Sequence, residues 1–84
     1  MDYDVIDVRP MGPMALQVWF ADGTTGLVRF EPSHLTGAFE VLRDPTLFSQ
    51  ARIECGAVTW PGDLDLSPDA MYREIKARGE WILR

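Results

Sequence analysis

The stretch "MALQVWFADGTTGLVRF", Met14 to Phe30, decides how the rest of the chain is read, because a turn and an apolar pattern constrain each other within it. Asp22-Gly23 marks a hairpin. A two-residue loop pairs Ala21 with Thr24 and sets Leu16 opposite Arg29, which puts a charge on the apolar face. A three-residue loop, Ala21 to Gly23 with Gly23 left-handed, pairs Phe20 with Thr24, Val18 with Gly26, Leu16 with Val28 and Met14 with Phe30. One face then carries Met14, Leu16, Val18, Phe20, Val28 and Phe30, and a one-residue slip turns the whole set to solvent. The longer loop is therefore expected. The reverse face holds Gln17, Trp19, Thr25, Leu27 and Arg29. It is a mixed surface that either the first strand or the tail covers or a partner engages, Trp and Arg being frequent hot-spot residues.

On the N-terminal side, "DVIDVR" (Asp4 to Arg9) is rich in β-branched residues and closes at Pro10, with Gly12 and Pro13 prolonging the turn; it reads as a first strand. Beyond Glu31-Pro32 the period changes. Leu35, Ala38, Phe39 and Leu42 fall on one stripe of a short helix starting near Ser33, with Gly37 weakening it. Asp44-Pro45 then starts a helical turn that presents Leu47 and Phe48 to the core. "ARIECGAVTW", Ala51 to Trp60, reads as a second hairpin around Cys55-Gly56, with Ile53 and Val58 facing inward.

Trp60-Pro61-Gly62 ends that strand, since proline donates nothing to a ladder and glycine permits a turn. Ser67 then caps a helix from Pro68 to about Arg78. Leu66 staples onto Met71, and Met71, Tyr72 and Ile75 lie on one side. The pairs Asp69 with Arg73 and Glu74 with Arg78 are spaced i, i+4, and Gly79 stands just past the end. The apolar tail "EWILR" adds to the domain's own sheet or core, or docks on a second chain. These elements give an α+β class: a small antiparallel sheet of about five strands with helices packed on one face. The order is strand, hairpin, short helices, hairpin and C-terminal helix, in a single domain over residues 1–84.

The chain of 84 residues is 46% apolar with nine aromatics, and no apolar run approaches membrane-spanning length. At this size only roughly 60 to 65% of the unfolded surface is buried, which leaves little room for both a core and a deep active site. Thirteen acidic against eight basic residues give a net charge of −5, opposed to a nucleic-acid backbone. "MDYDVIDV" lacks the basic flank and apolar core of an export signal, so a cytoplasmic location is expected. The single cysteine, Cys55, is expected to be a buried or half-buried apolar group, and His34 to face solvent, because no second histidine, cysteine or spaced carboxylate completes a triad or metal pattern. Asp63 and Asp65 lack the ligand spacing of an EF-hand, and neither a metal nor a cofactor is expected.

Several motifs stand in a fixed order: Phe20-Ala21-Asp22-Gly23, then Leu42-Arg43-Asp44-Pro45 with Phe48, a Trp60-Pro61-Gly62 turn, and the segment Asp65-Leu66-Ser67-Pro68-Asp69-Ala70-Met71-Tyr72. Together, from about Val5 to Tyr72, they resemble the bacterial domain of unknown function 2442 family. Gly62-Asp63 in the turn and Met71 in place of leucine are mild departures. The resemblance implies a small α+β fold without an established catalytic activity. Genes of this family often stand beside those of another small family in an arrangement like toxin and antitoxin pairs. Some members carry an appended helix-turn-helix domain; the chain's end at Arg84 leads to the expectation that this one does not, and that it does not bind operator DNA directly.

Two functional readings follow. In the first, the protein is a non-enzymatic interaction module, antitoxin-like, that docks a small partner protein encoded by a neighbouring gene, or a second copy of itself, through Trp19, Leu27, Arg29, Trp81 and Ile82. In the second, Trp60, Asp63, Asp65 and Tyr72 form a ligand-binding or hydrolytic pocket at the strand-to-helix junction.

Overall fold

The fold was analysed in a computed structural model that describes residues 3–84; the first two residues of the acidic N-terminal stretch lie outside it. Strands β1 (Val5–Pro10), β2 (Ala15–Phe20) and β3 (Thr25–Phe30) form an antiparallel meander, and β7 (Glu80–Leu83) pairs with β3 in parallel. A second, three-stranded antiparallel sheet contains β4 (Arg52–Glu54), β5 (Ala57–Trp60) and β6 (Leu64–Asp65). The expected α+β class holds, while the single antiparallel sheet of about five strands is corrected to a mixed four-stranded sheet and a separate three-stranded one. The tail supplies part of the difference: Trp81 pairs with Val28 and Leu83 with Phe30, both core-facing β3 residues, in an ascending register that makes the last strand parallel to β3.

The β2–β3 hairpin has the register that the apolar pattern demands. Leu16 stands opposite Val28 and Val18 opposite Gly26, the Phe20 amide donates to Thr24 O (2.8 Å), and Gly23 has φ 89°. Leu16, Val18, Phe20, Val28 and Phe30 are buried, and Met14 is half-buried. Slipping this register by one residue exposes all of them. Gly26 serves a different need. A Cβ there would lie 2.6 Å from Ile75 Cγ2 and 2.8 Å from Gly79 O, so its bare backbone lets the last turns of α2 (Pro68–Arg78) settle on the core face of the sheet.

The expected helix from Ser33 is instead two 3₁₀ segments, Pro32–His34 and Gly37–Arg43. Gly37 takes a left-handed φ of 59°, which a continuous α-helix excludes. Leu35 and Leu42 reach the core, Phe39 is half-buried and Ala38 is exposed, so the stripe only partly survives the break. Arg43 braces it, donating from Nε to Leu35 O and from Nη2 to Pro32 O, both at 2.9 Å. The turn α1 (Pro45–Phe48) forms as its sequence dictates, with Asp44 accepting from the Thr46 amide. Cys55 is exposed, contrary to expectation. With Gly56 it makes a two-residue hairpin tip in which both have positive φ (52° and 77°), the requirement of a type I′ turn, and a tip projects away from any core.

α2 spans its expected residues and ends at Gly79, φ 80°. Ser67 occupies the cap position, but its hydroxyl donates to the Asp69 carboxylate rather than capping a backbone amide. That bond holds the Asp69 carboxyl below its ordinary range. The core is one cluster. Val5, Val18, Val28 and Phe30 from the larger sheet meet Val58 and Trp60 from the smaller, with Leu35, Leu42, Phe48, Met71 and Ile75 filling between. No helix among the described residues is long and apolar enough to cross a membrane.

Two substitutions separate the roles of the hairpin glycines. Gly26→Ala forces Ile75 or the α2 C-terminus to shift and is expected to lower unfolding free energy by about 1–3 kcal/mol. Gly23→Val, in open space but at positive φ, is expected to cost about 1 kcal/mol or more from backbone strain alone. Urea denaturation midpoints check both; an unchanged midpoint for Gly26→Ala would refute the close helix contact.

Candidate interaction surface

Alternation along β2 places Leu16, Val18 and Phe20 in the core, which turns Gln17 and Trp19 outward. The pairing registers carry this outer face across the sheet. Asp7, Trp19 and Thr25 make one row; Arg9, Gln17, Leu27 and Glu80 the next; and Ala15, Arg29 and Ile82 the third. Trp19, Leu27, Arg29 and Ile82 therefore share one face, contributed by three different strands. Trp19, Leu27 and Ile82 are half-buried and Arg29 is exposed. Trp81 is separated from them: it pairs with Val28 and turns to the opposite face, where it packs against the core. A side chain one residue along a strand changes face, so an apolar tail of consecutive residues cannot present all of them to one partner.

The first strand and the tail extend the sheet at its two sides instead of covering this face. α2 and the small helices take the other side, through Gly26, Leu35, Leu42 and Phe48. The outer face is stiffened by its own polar contacts. Arg9 stacks on the Trp19 ring, its guanidinium 5.3 Å from the ring centre, and pairs with Asp7 at 3.7 Å. Gln17 donates to Thr25 Oγ1 (3.3 Å), and Arg29 pairs with Glu80 at 3.5 Å. Ile6, at the bulge between Val5 and Asp7, adds a strongly exposed apolar side chain (62%) on the first strand. The result is a surface of aromatic, aliphatic and guanidinium groups whose ion pairs are solvent-exposed and individually worth little.

The Trp60, Asp63, Asp65 and Tyr72 set is placed differently. Trp60 is fully buried (1%) and its indole N–H donates to Phe48 O (3.0 Å). Asp63 and Asp65 are exposed, Asp63 in the left-handed turn between β5 and β6. The Tyr72 hydroxyl donates to Asp22 Oδ2 (2.6 Å), tying α2 to the tip of the β2–β3 hairpin, while the Thr24 amide donates to Asp22 Oδ1 (2.9 Å). The described residues contain no group of three or more His, Cys, Asp or Glu placed to hold a metal ion. His34 is half-buried rather than solvent-facing, with its ring against Phe39 and Phe30 and Nδ1 3.3 Å from Arg84 O.

Sequence reasoning missed an apolar cleft of about 410 Å³. It lies between the β1–β2 connection, through Pro10, Pro13 and Met14, and Leu42, Pro45 and Phe48 of the helical segment. Its only signal in the sequence is the proline and glycine content of both walls, which marks loops without saying that they face one another.

The geometry rests on the motifs in their fixed order: the Asp22 turn, Leu42 to Pro45, Phe48, the Trp60 turn and Tyr72. The chain belongs to the family described as protein of unknown function (DUF2442). The family model matches residues 5–77 of the 84. No curated protein and no solved structure matches the chain. In this DUF2442 chain the outer-face residues Trp19, Leu27 and Arg29 lie within the matched span, with Ile82 beyond it.

The Tyr72 bond, then the Thr24 amide, lowers the Asp22 pKa from 3.8 to about 2. A carboxyl whose folded pKa is depressed stabilises the fold above its unfolded value, and that contribution is lost as pH falls from about 4 to about 2. Tyr72→Phe is expected to raise the Asp22 pKa toward its ordinary value and to flatten the pH dependence of stability in that window. Carbon-detected NMR titration of the Asp22 carboxyl checks this; an unmoved titration would mean that Tyr72 is not its donor in solution.

Proposed function

We propose that the protein is a non-enzymatic protein–protein interaction module that docks a small partner protein on the outer face of its four-stranded sheet. The observation that carries the reading is the convergence of Trp19, Leu27, Arg29 and Ile82 from three strands onto one face that no other element among the described residues covers. A face of this composition has residue types frequent at binding hot spots, with Leu27 in its middle row, Trp19 and Arg29 in the rows on either side, and charged groups around them. The chain's net charge of −5 favours approach of a basic partner. Membership of DUF2442, and the gene pairing that the resemblance implies, support the narrower form of the proposal: the antitoxin-like member of a two-gene pair, acting in the cytoplasm. The burial of Trp60 and the outward placement of Asp63 and Asp65 favour this reading over a ligand-binding or hydrolytic pocket at the β5–α2 junction.

The test is recovery of the tagged protein from its native host and mass spectrometry of whatever co-purifies in near-equal amount. A small basic protein from the adjacent gene is expected. Its recovery should fall at least about tenfold with Trp19→Ser or Leu27→Asp, the loss typical of a hot-spot truncation. It should be unaffected by Val41→Ser, which alters an exposed aliphatic residue (50%) on the helical side of the molecule. Equal recovery with all three variants would remove the outer face from the reading, and absence of any stoichiometric partner would remove the reading itself.

A further inference from the structure

The two edges of the larger sheet are built differently. β1 is covered at its start, where the Val5 amide donates to Gly56 O of the second sheet (2.9 Å), and its register is broken by a bulge between Val5 and Asp7. It closes on Pro10, which has no donor. Cover, bulge and proline are among the devices by which proteins keep a strand edge from pairing with another chain. β7, at the other side, has none of these three; it is short and flanked by charges, which admits only a partner whose charges match.

Leu83 O accepts from the Glu31 amide (2.8 Å), which fixes the alternation of the strand. Main-chain groups of residues 81 and 83 face β3, and those of Glu80 and Ile82 face away from the sheet. Alongside lies a groove of about 270 Å³ lined by Glu74 and Arg78 of α2 together with Glu80, Ile82 and Arg84. Its charges balance, two acidic and two basic, although the whole chain is at −5. Two such chains repel one another over most of their surfaces; at this edge the repulsion is cancelled locally.

We infer that the β7 edge is a self-association surface, on which a second copy of this chain adds its own β7 antiparallel about a two-fold axis at Ile82. Backbone alternation alone admits two-fold centres at residues 81, 82 and 83. Only the centre at Ile82 sets Glu80 of each copy opposite Arg84 of the other, at both ends of the pairing, while Ile82 meets itself and exchanges two main-chain hydrogen bonds across the axis. Centres at 81 or 83 leave a charge facing Ile82. Opposite charges directly across an antiparallel pair are favourable and like charges are not, so the sequence selects the register that the backbone permits. An isologous contact of this kind closes as a dimer and leaves no free copy of the same edge. Within each chain Glu80 already lies 3.5 Å from Arg29, which orients its carboxylate, while Arg84 O lies 3.3 Å from His34 Nδ1, so the main-chain hydrogen bonds of the pairing are those of Ile82 and its ends are joined through the side chains of Glu80 and Arg84. The assembly is one continuous eight-stranded sheet, and it stands or falls independently of what occupies the outer face.

The test is sedimentation equilibrium of the full chain and two charge reversals, with circular dichroism to show that each is folded. The wild-type chain is expected to dimerise reversibly. E80R and R84E alone are each expected to weaken self-association by about tenfold or more, because each puts like charges opposite one another. Mixed one to one they are expected to recover dimer, since the E80R chain is basic at both positions and the R84E chain acidic at both. R84E alters a residue outside the strand ladder, so it reports even where E80R disturbs the Arg29 contact. A wild-type chain that stays monomeric to millimolar concentration, reversals that leave a dimer unchanged, or reversals that fail to complement on mixing would each overturn the inference.

Discussion

The contact among Phe30, Phe48 and Trp60 holds this molecule together. The three rings come from β3, α1 and β5, with centroids 5.5 to 6.1 Å apart, and the Trp60 indole N–H ends on Phe48 O. Edge-on and tilted aromatic pairs at these separations contribute beyond the area they bury, and the buried indole donor has its acceptor. Without this cluster the smaller sheet has only three strands of two to four residues, too brief to enclose a core of their own. Its attachment to the larger sheet is therefore what allows Thr59 to accept burial and what allows the β5–β6 turn to hand the chain to α2. Phe48 and Trp60 each supply one ring together with the turn that aims it, Asp44-Pro45 for the first and Trp60-Pro61-Gly62 for the second.

Local signals were readable where two of them had to agree. The β2–β3 register follows from a turn and an alternating apolar pattern that are jointly satisfied in one way, and α1 follows from Asp44-Pro45 followed by an apolar pair. α2 follows from cap, proline and terminal glycine at their proper spacing. What was not readable depends on distance in sequence. That Gly26 is where α2 lands, or that Tyr72 reaches Asp22, involves residues about fifty positions apart, and neither partner carries a local mark of the other. The 3₁₀ segments escaped because the spacing of Leu35, Phe39 and Leu42 suits an α-helix; only the left-handed φ at Gly37 breaks it. Strand alternation puts Trp19, Leu27 and Arg29 on one face in the sequence and in the fold alike. Trp81 and Ile82 part from each other because alternation separates adjacent residues once the tail is a strand, a conformation that "EWILR" alone does not dictate.

The parallel placement of β7 has two consequences that cannot be had separately. Setting Trp81 and Leu83 beside Val28 and Phe30 closes the core under α2, and by alternation it sends Ile82 and Glu80 to the outer face beside Arg29 and Leu27. The same step moves the open edge of the sheet from β3, a central strand with a fully buried face, to a strand of four residues whose outward neighbours are charged. A short, charged edge is far less prone to indiscriminate pairing than a long apolar one. The last strand thus completes the fold and defines both exposed surfaces at once.

Size explains why the outer face is bare. Among the described residues of this 84-residue chain one α-helix is longer than a turn, and it is committed to the core face through Met71 and Ile75. Surface-to-volume scaling leaves no second layer to spend on the other side. An uncovered face is therefore not by itself a sign of function, because a sheet of this size must have one. The informative part is its composition. A face made only for solvation would be polar throughout; this one carries Gln17, Thr25 and Glu80 as such faces do, yet it also places Trp19, Leu27 and Ile82 beside the guanidinium groups of Arg9 and Arg29. Trp19, Leu27 and Ile82 stay half-buried there, outside the core cluster, so the fold itself gains little from their apolar area and the proposed docking is what would use it.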